Sequence, residues 1–182
     1  MERENMRVII SKRMIREGLL RCLEKKNIDR ISISELCKEA QVNRATFYNH
    51  YDSPADVLTE INWEIVKQIE EIYQGAEPSS VRKKTISVLS LLQKNADMLK
   101  IIFSANANPV VYKTAIETFT HFWESTLDLK NSLRLSEEEY RMAITAYGWA
   151  GFYMIRQWIM DDIDKSPQEM MDLLDRIFGN RA

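Results

Sequence analysis

Ser32-Ile33-Ser34-Glu35-Leu36-Cys37-Lys38-Glu39-Ala40-Gln41-Val42-Asn43-Arg44-Ala45-Thr46-Phe47-Tyr48-Asn49-His50-Tyr51 reads as two short helices joined by a tight turn. Ser32 and Glu35 make an S-x-x-E capping box, in which each side chain satisfies a backbone N–H at the helix start, so a helix is expected from just after Ser32. Ile33, Leu36 and Cys37 recur at i, i+3, i+4 and give that helix one apolar face. Ala40 is small where the helices must cross closely. Gln41-Val42-Asn43 is the turn, with Val42 expected as its buried plug and Asn43 as a favourable N-cap for the second helix. That helix places Arg44, Thr46, Tyr48 and Asn49 around its outer surface and Phe47 inward. Such a pair is the layout of a helix-turn-helix, whose second helix enters the major groove of DNA N-terminus first.

The chain around this motif has 182 residues, 45% hydrophobic and 29% charged, which fits a globular protein with a sizeable core. Five Gly, four Pro and long Leu/Ile/Glu/Lys stretches favour an all-helical fold. The charged start, Met1 to Arg7, argues against a secretory signal. Met142 to Ile155, the most apolar stretch, is shorter than the roughly 20 residues of a spanning helix and reads as core. Only two cysteines, Cys22 and Cys37, suit a reducing cytoplasm without a disulfide or metal framework. Residues 1–51 hold eleven Lys/Arg against seven Asp/Glu, while the remainder holds fourteen against twenty. A basic end on an acidic body suits a protein that docks one end on DNA.

A helix from about Ser11 to Lys26 precedes the motif, with Met14, Ile15, Leu19, Cys22 and Leu23 as its buried stripe. Gly18 in its middle costs about 1 kcal/mol, which a close helix crossing would explain. Pro54 opens a helix that carries Leu58, Ile61, Ile65, Ile69 and Ile72 to about Tyr73, too long for a small domain alone and so expected to link two parts. Gly75 to Ser80 is the clearest break in the chain. Helices are then expected over 80–93, 96–104, 109–129, from Ser136 to about Met160, and from Ser166 to Phe178. Capping boxes at Ser136/Glu139 and Ser166/Glu169 open the last two, and Gly179 is the C-cap of the last. The expected architecture is all-α: a three-helix helix-turn-helix domain over 8–54 and a C-terminal helical bundle over 55–182 for ligand binding and dimerisation.

The stretch from about Ile15 to Leu58 resembles the DNA-binding domain of the TetR family of bacterial regulators. The resemblance lies in Ile31-Ser32-Ile33, Leu36-Cys37, Ala40, Val42, Thr46-Phe47-Tyr48-x-His50-Tyr51 and Val57-Leu58. Gln41 stands where glycine is common in the turn, and Pro54 where a lysine often touches a phosphate. The C-terminal half is more loosely similar to a TetR subgroup that includes activators of dihydroxyacetone-kinase operons. That likeness rests on Phe103-Ser104-x-Asn106-x-Asn108-Pro109, on Trp158-Ile159 and on Lys165-Ser166-Pro167-Gln168-Glu169-Met170.

The resemblance puts Arg44, Ala45, Thr46, Tyr48, Asn49 and His50 at the groove of double-stranded DNA. The chemistry agrees: Arg44 can fork onto guanine O6 and N7, Thr46 can touch a thymine methyl or a phosphate, and Asn49 can pair with an adenine edge. Tyr48 and His50 suit phosphates, as does Ser34 at the start of its helix. A homodimer is expected, since one small domain buries little surface on DNA. Gly148 and Gly151 leave one side of their helix low, flanked by Trp149, Phe152, Ile155 and Ile159, while Leu173, Leu174, Ile177 and Phe178 stripe the last helix. These two helices can pair with their symmetry mates in a four-helix bundle, or can equally be core of one chain. Trp63, Phe103, Tyr112, Phe119, Phe122, Trp123, Tyr147 and Tyr153 are candidates for a pocket that takes a small apolar or amphipathic effector, with His121, Thr118, Asn106 and Asn108 as polar anchors. An aromatic stripe at helical spacing also reads as plain core.

No enzyme is expected. His50 and His121 lack Cys or carboxylate neighbours at metal-ligand spacing, and no nucleophile elbow or Gly-rich phosphate loop occurs, so no metal or cofactor is assigned. The functional expectation is a cytoplasmic, ligand-responsive repressor that reads an inverted-repeat operator as a homodimer. The alternative is a coactivator module of the same fold that contacts another regulator.

Overall fold

In the computed structural model, which describes residues 2–74, 81–104, 109–126 and 128–178, helix α1 (Glu2–Leu23) crosses α2 (Ile33–Glu39) at Gly18. A Cβ built on Gly18 would lie 2.8 Å from Ala40 Cβ and 2.9 Å from that residue's backbone N, so a glycine of α1 and an alanine at the end of α2 set the crossing. α1 begins earlier than the expected Ser11. Ser11 is interior to the helix, its hydroxyl lying 2.9 Å from Arg7 O and 3.0 Å from Val8 O. The helix also ends three residues before Lys26. After a 3-10 turn at Ile28–Arg30, whose Ile28 is buried, come α2 and α3 (Arg44–Tyr48). Ile15, Leu19, Leu36, Phe47 and Val57 are wholly buried beneath them.

The described residues divide into two compact units, Met1–Lys67 with Ile101–Val111 and Gln68–Lys100 with Tyr112–Ala182. α4 (Pro54–Gln74) starts in the first and ends in the second, burying Val57, Leu58, Ile61, Ile65 and Val66. α5 (Val81–Lys94), α6 (Ala96–Ile102) and α7 (Pro109–Thr126) follow. A four-residue helix α8 (Leu129–Ser132), capped by Asp128, stands where the expected reading ran α7 on to Leu129. α9 (Glu137–Met160) and α10 (Pro167–Phe178) start at the expected serines. α10 packs on α5, where Arg82 pairs with Asp172 and Asp175. The breaks at 75–80 and 105–108 and the Gly179 cap lie outside the described residues. Among the described residues there is no strand, no helix long and apolar enough to cross a membrane, and no cluster of His, Cys, Asp and Glu able to hold a metal ion.

Candidate nucleic-acid interface

Two N-caps built into the sequence shape the surface of the first unit. Ser32 Oγ accepts from Glu35 N at 3.2 Å, and Asn43 Oδ1 accepts from Thr46 N at 2.7 Å, so both helices of the motif start where their caps dictate. The Ser32 box stays half-closed: Glu35 turns to Lys26, with Nζ to Oε1 at 2.7 Å, and that ammonium holds its carboxyl below the usual range. Gln41 adopts a left-handed backbone, φ 54°, at the turn position where glycine is common in the resembled family. Val42 is half-buried, not the fully buried plug expected.

α3 is only five residues long, and its side chains separate cleanly. Phe47 is 0% exposed, while Arg44, Ala45 and Tyr48 are exposed and Thr46 is half-buried. Arg44 Nη2 donates to Tyr48 Oη at 3.4 Å, and the guanidinium carbon lies 6.0 Å from the Tyr48 ring centroid. The pair holds a cation and a phenol side by side on the outer face. Asn49, expected on the helix, is its exposed C-cap. His50 is half-buried, its Nε2 2.7 Å from Ser11 Oγ, which ties the end of the reading segment to α1. Ser11 also meets two backbone carbonyls, so its single proton is directed there and His50 Nε2–H donates to Oγ. Ser34 is exposed in the first turn of α2. Behind this face, Lys12 pairs with Glu60 at 3.0 Å and lies 5.3 Å from the Tyr51 ring, while Arg16 pairs with Glu64. These contacts fasten α1 to α4; composition alone gave no sign of them.

The second unit holds an aromatic cluster. Phe122 and Trp123 of α7 lie 4.7 Å apart, Trp123 is 6.1 Å from Tyr147 of α9, and Phe178 of α10 is 5.0 Å from Trp123. Tyr73, at the end of α4, joins at 5.5 Å from Phe122; burial pushes its phenol up to about 12. Tyr112 and Phe119 meet Phe152 at 5.6 and 6.3 Å. Tyr73 and Phe178 join this cluster, although in the sequence one reads as the end of a linking helix and the other as an interface stripe. Trp63 is 56% exposed on the outer side of α4, while Ile61 and Ile65 take the inner side. Tyr153 is exposed too, stacked on Trp149 at 6.0 Å. Phe103 is buried within the first unit. Of the polar anchors, Thr118 Oγ donates to Thr114 O and His121 points to solvent near Glu124, while Asn106 and Asn108 lie outside the described residues.

The glycine face of α9 is occupied within the chain. A Cβ on Gly148 would meet Thr120 Oγ1 at 2.1 Å, and one on Gly151 would meet Trp123 Nε1 at 2.8 Å, so this groove receives the chain's own α7. Phe152, Ile155, Ile159 and Leu174 are buried within one chain; of the residues expected at a dimer interface, Ile177 (54% exposed) and Trp149 (43% exposed) face out. α9 instead exposes the opposite side, where Met142 (70% exposed), Ala146, Trp149 and Tyr153 recur at helical spacing.

Residues 80–180 match the family described as "Transcriptional regulator C-terminal region", and residues 15–61 match "Bacterial regulatory proteins, tetR family". No curated protein matches the sequence. Among solved structures, a TetR transcriptional regulator from Streptococcus agalactiae 2603V is similar with a TM-score of 0.68 at 14% identity, covering 98% of each chain. The fatty acid degradation regulator FadR from Bacillus halodurans gives 0.63 at 16% identity, covering 94% of this chain and 96% of its own. The dihydroxyacetone kinase operon activator DhaS gives 0.59 at 16%, covering 93% and 94%. At these identities the neighbours establish the fold, and the two sequence matches, which between them span the reading head and more than half of the chain, establish the kinship: this chain belongs to the TetR family of bacterial DNA-binding transcription regulators, which are not enzymes.

Proposed function

We propose that the chain is a cytoplasmic, ligand-responsive repressor that reads an inverted-repeat operator as a homodimer. The observation that carries this is the outward pairing of Arg44 and Tyr48 on a helix whose inner face is locked by Phe47. In this reading 8–54 holds the DNA and 55–182 holds the effector and the partner subunit. Arg44 forks onto a guanine; Ala45, Thr46 and Asn49 touch base edges; Ser34, Tyr48 and His50 grip phosphates. The exposed stripe Met142, Ala146, Trp149 and Tyr153, with Ile177, is the surface that supports pairing with a second copy. Half-sites then lie about one helical turn apart, or a multiple. An effector among the aromatic rings of the second unit shifts Tyr73 at the end of α4, and α4 carries α1 with it through Glu60 and Glu64. The two reading helices change separation and DNA is released, a shift between two populations.

The test is a fluorescence-anisotropy titration of the chain with DNA from upstream of its own gene, at several salt concentrations. Tight binding that weakens steeply with salt is the expected result. Arg44→Ala is expected to cost about 1–3 kcal/mol and to relax choice at one base pair. Equal affinity of parent and variant for operator and random duplex would sink the groove assignment. Trp149→Glu is expected to leave the helical content intact and split the dimer, read by sedimentation. The second reading, a coactivator module that touches another regulator, draws on Pro54 at the position of a phosphate-binding lysine; absence of salt-sensitive binding would favour it. DhaS is named as an operon activator, so the sign of regulation is read from a reporter with and without the gene.

A further inference from the structure

Two tryptophans are buried in the second unit, and only one has its ring nitrogen satisfied. Trp158 Nε1 donates to Lys165 O at 3.0 Å. Trp123, only 5% exposed, has a buried Nε1–H with no hydrogen-bond partner among the described residues. An indole nitrogen can only donate, so the missing partner must be an acceptor. Buried polar groups in folded proteins are nearly always paired, and one left unpaired destabilises the state that holds it.

The surroundings say what kind of acceptor fits. Phe122 at 4.7 Å, Phe178 at 5.0 Å and Tyr147 at 6.1 Å crowd the indole with apolar rings. The donor edge lies against Gly151, where a side chain would begin only 2.8 Å from Nε1, so nothing from α9 reaches in to accept the proton. Phe122 and Tyr147 beside the indole, and Phe119 next to it against Gly151, are each half-buried. A carboxylate placed there would leave water for a single neutral donor, a heavy desolvation cost. A neutral carbonyl gives up much less.

We infer that the Trp123 indole N–H is the polar anchor of the effector site, and that the effector is an apolar molecule carrying a neutral carbonyl oxygen, such as a ketone, ester or amide. This rests on the effector reading proposed above and adds the ligand's chemistry to it. The aromatic rings select an apolar body, and the one donor selects where its oxygen must sit.

The experiment uses isosteric pairs on the full chain: acetophenone with ethylbenzene, and 2-acetonaphthone with 2-ethylnaphthalene, each pair differing by a carbonyl in place of a methylene. Calorimetry is expected to show the ketone binding roughly five- to tenfold more tightly than its hydrocarbon, the return on one buried neutral hydrogen bond. Benzoate is expected to bind more weakly than acetophenone. In Trp123→Phe the preference within each pair is expected to collapse to about unity. Should that variant misfold, the parent labelled with ¹⁵N-tryptophan decides. The Trp123 indole proton must move downfield with the ketone and stay put with the hydrocarbon, the four indole signals being assigned by single replacement. Equal affinity within both pairs, or benzoate binding more tightly than acetophenone, overturns the carbonyl anchor while leaving an apolar effector site standing. No binding by any of the four overturns the effector-site reading itself, and the anchor with it.

Discussion

The string Ser-x-x-Glu opens α2 in the DNA-reading unit and α9 and α10 in the other, and it closes differently in the two places. At α9, Ser136 N donates to Glu139 Oε2 at 2.8 Å and Glu139 N donates back to Ser136 Oγ at 3.3 Å. Ser166 and Glu169 repeat the reciprocal pair. At α2 only the serine half forms, because Lys26 reaches Glu35 first. Four residues dictate where a helix begins, but a cation brought in by the tertiary fold decides where the glutamate goes. The glycines divide in the same way. Gly18 faces the backbone of Ala40 across a helix crossing, whereas Gly148 faces the Thr120 side chain.

Core truncation separates the two regions most strongly. Phe47→Ala removes a wholly buried ring from the small unit and is expected to cost about 3–5 kcal/mol. DNA binding should vanish while the helical signal of the larger unit persists to higher urea. A single concerted loss of all helix would break the contrast, showing one cooperative block.

The glycine comparison comes next. Gly18→Ala drives a methyl into backbone that cannot retreat, 2.9 Å from Ala40 N, and is expected to cost about 2–3 kcal/mol, helix propensity already included. Gly148→Ala collides first with a hydroxyl at 2.1 Å, which a rotamer change can withdraw, and is expected to cost about 1–2 kcal/mol. Adding Thr120→Ala should recover part of the second loss; Ala40→Gly should recover little of the first. Equal rescue in urea titrations would erase the distinction between backbone and side-chain contact.

These contrasts track what the sequence made legible. The reading head was legible almost residue by residue, since caps at Ser32 and Asn43, the small pair Gly18 and Ala40 and the inward Phe47 all obey short-range rules. α9 was legible as a helix, and its orientation was not. Met142, Trp149 and Tyr153 on one side are as apolar as Ile155, Phe152 and Ile159 on the other, so periodicity cannot say which side is inside. Only the fit of Thr120 and Trp123 onto Gly148 and Gly151 decides it. Glu35 was misread for the related reason that its partner, nine residues earlier, belongs to no local motif.

A smaller effect tests the turn. Gln41 holds φ at 54°, a conformation that a residue with a Cβ adopts at a cost and glycine adopts freely. Gln41→Gly is therefore expected to stabilise the head by about 1 kcal/mol, visible as a higher urea midpoint of the unit that Phe47→Ala melts. A lower midpoint would mean that the Gln41 side chain holds the turn and the backbone carries no strain.

The smallest effect returns to the caps. Backbone hydrogen bonds from Ser136 and Ser166 hold the Glu139 and Glu169 carboxyls below the usual range, and the Lys26 side chain does the same for Glu35. A carboxyl whose value falls on folding stabilises the fold above its ordinary range, near 4.5, and loses that contribution as pH drops through the lowered value. All three should therefore weaken the fold between about pH 5 and pH 3. Salt should tell them apart. The half-exposed Glu35–Lys26 pair is an ion pair that roughly 1 M salt screens, whereas a carboxylate on a backbone N–H one turn away responds far less. Glu35→Gln should then flatten both the acid and the salt dependence of the urea midpoint, and Glu139→Gln, which keeps an accepting oxygen, only the acid dependence. If both variants respond alike to salt, the glutamate of α2 is doing what its counterpart in α9 does, and the capping box there is closed in solution after all.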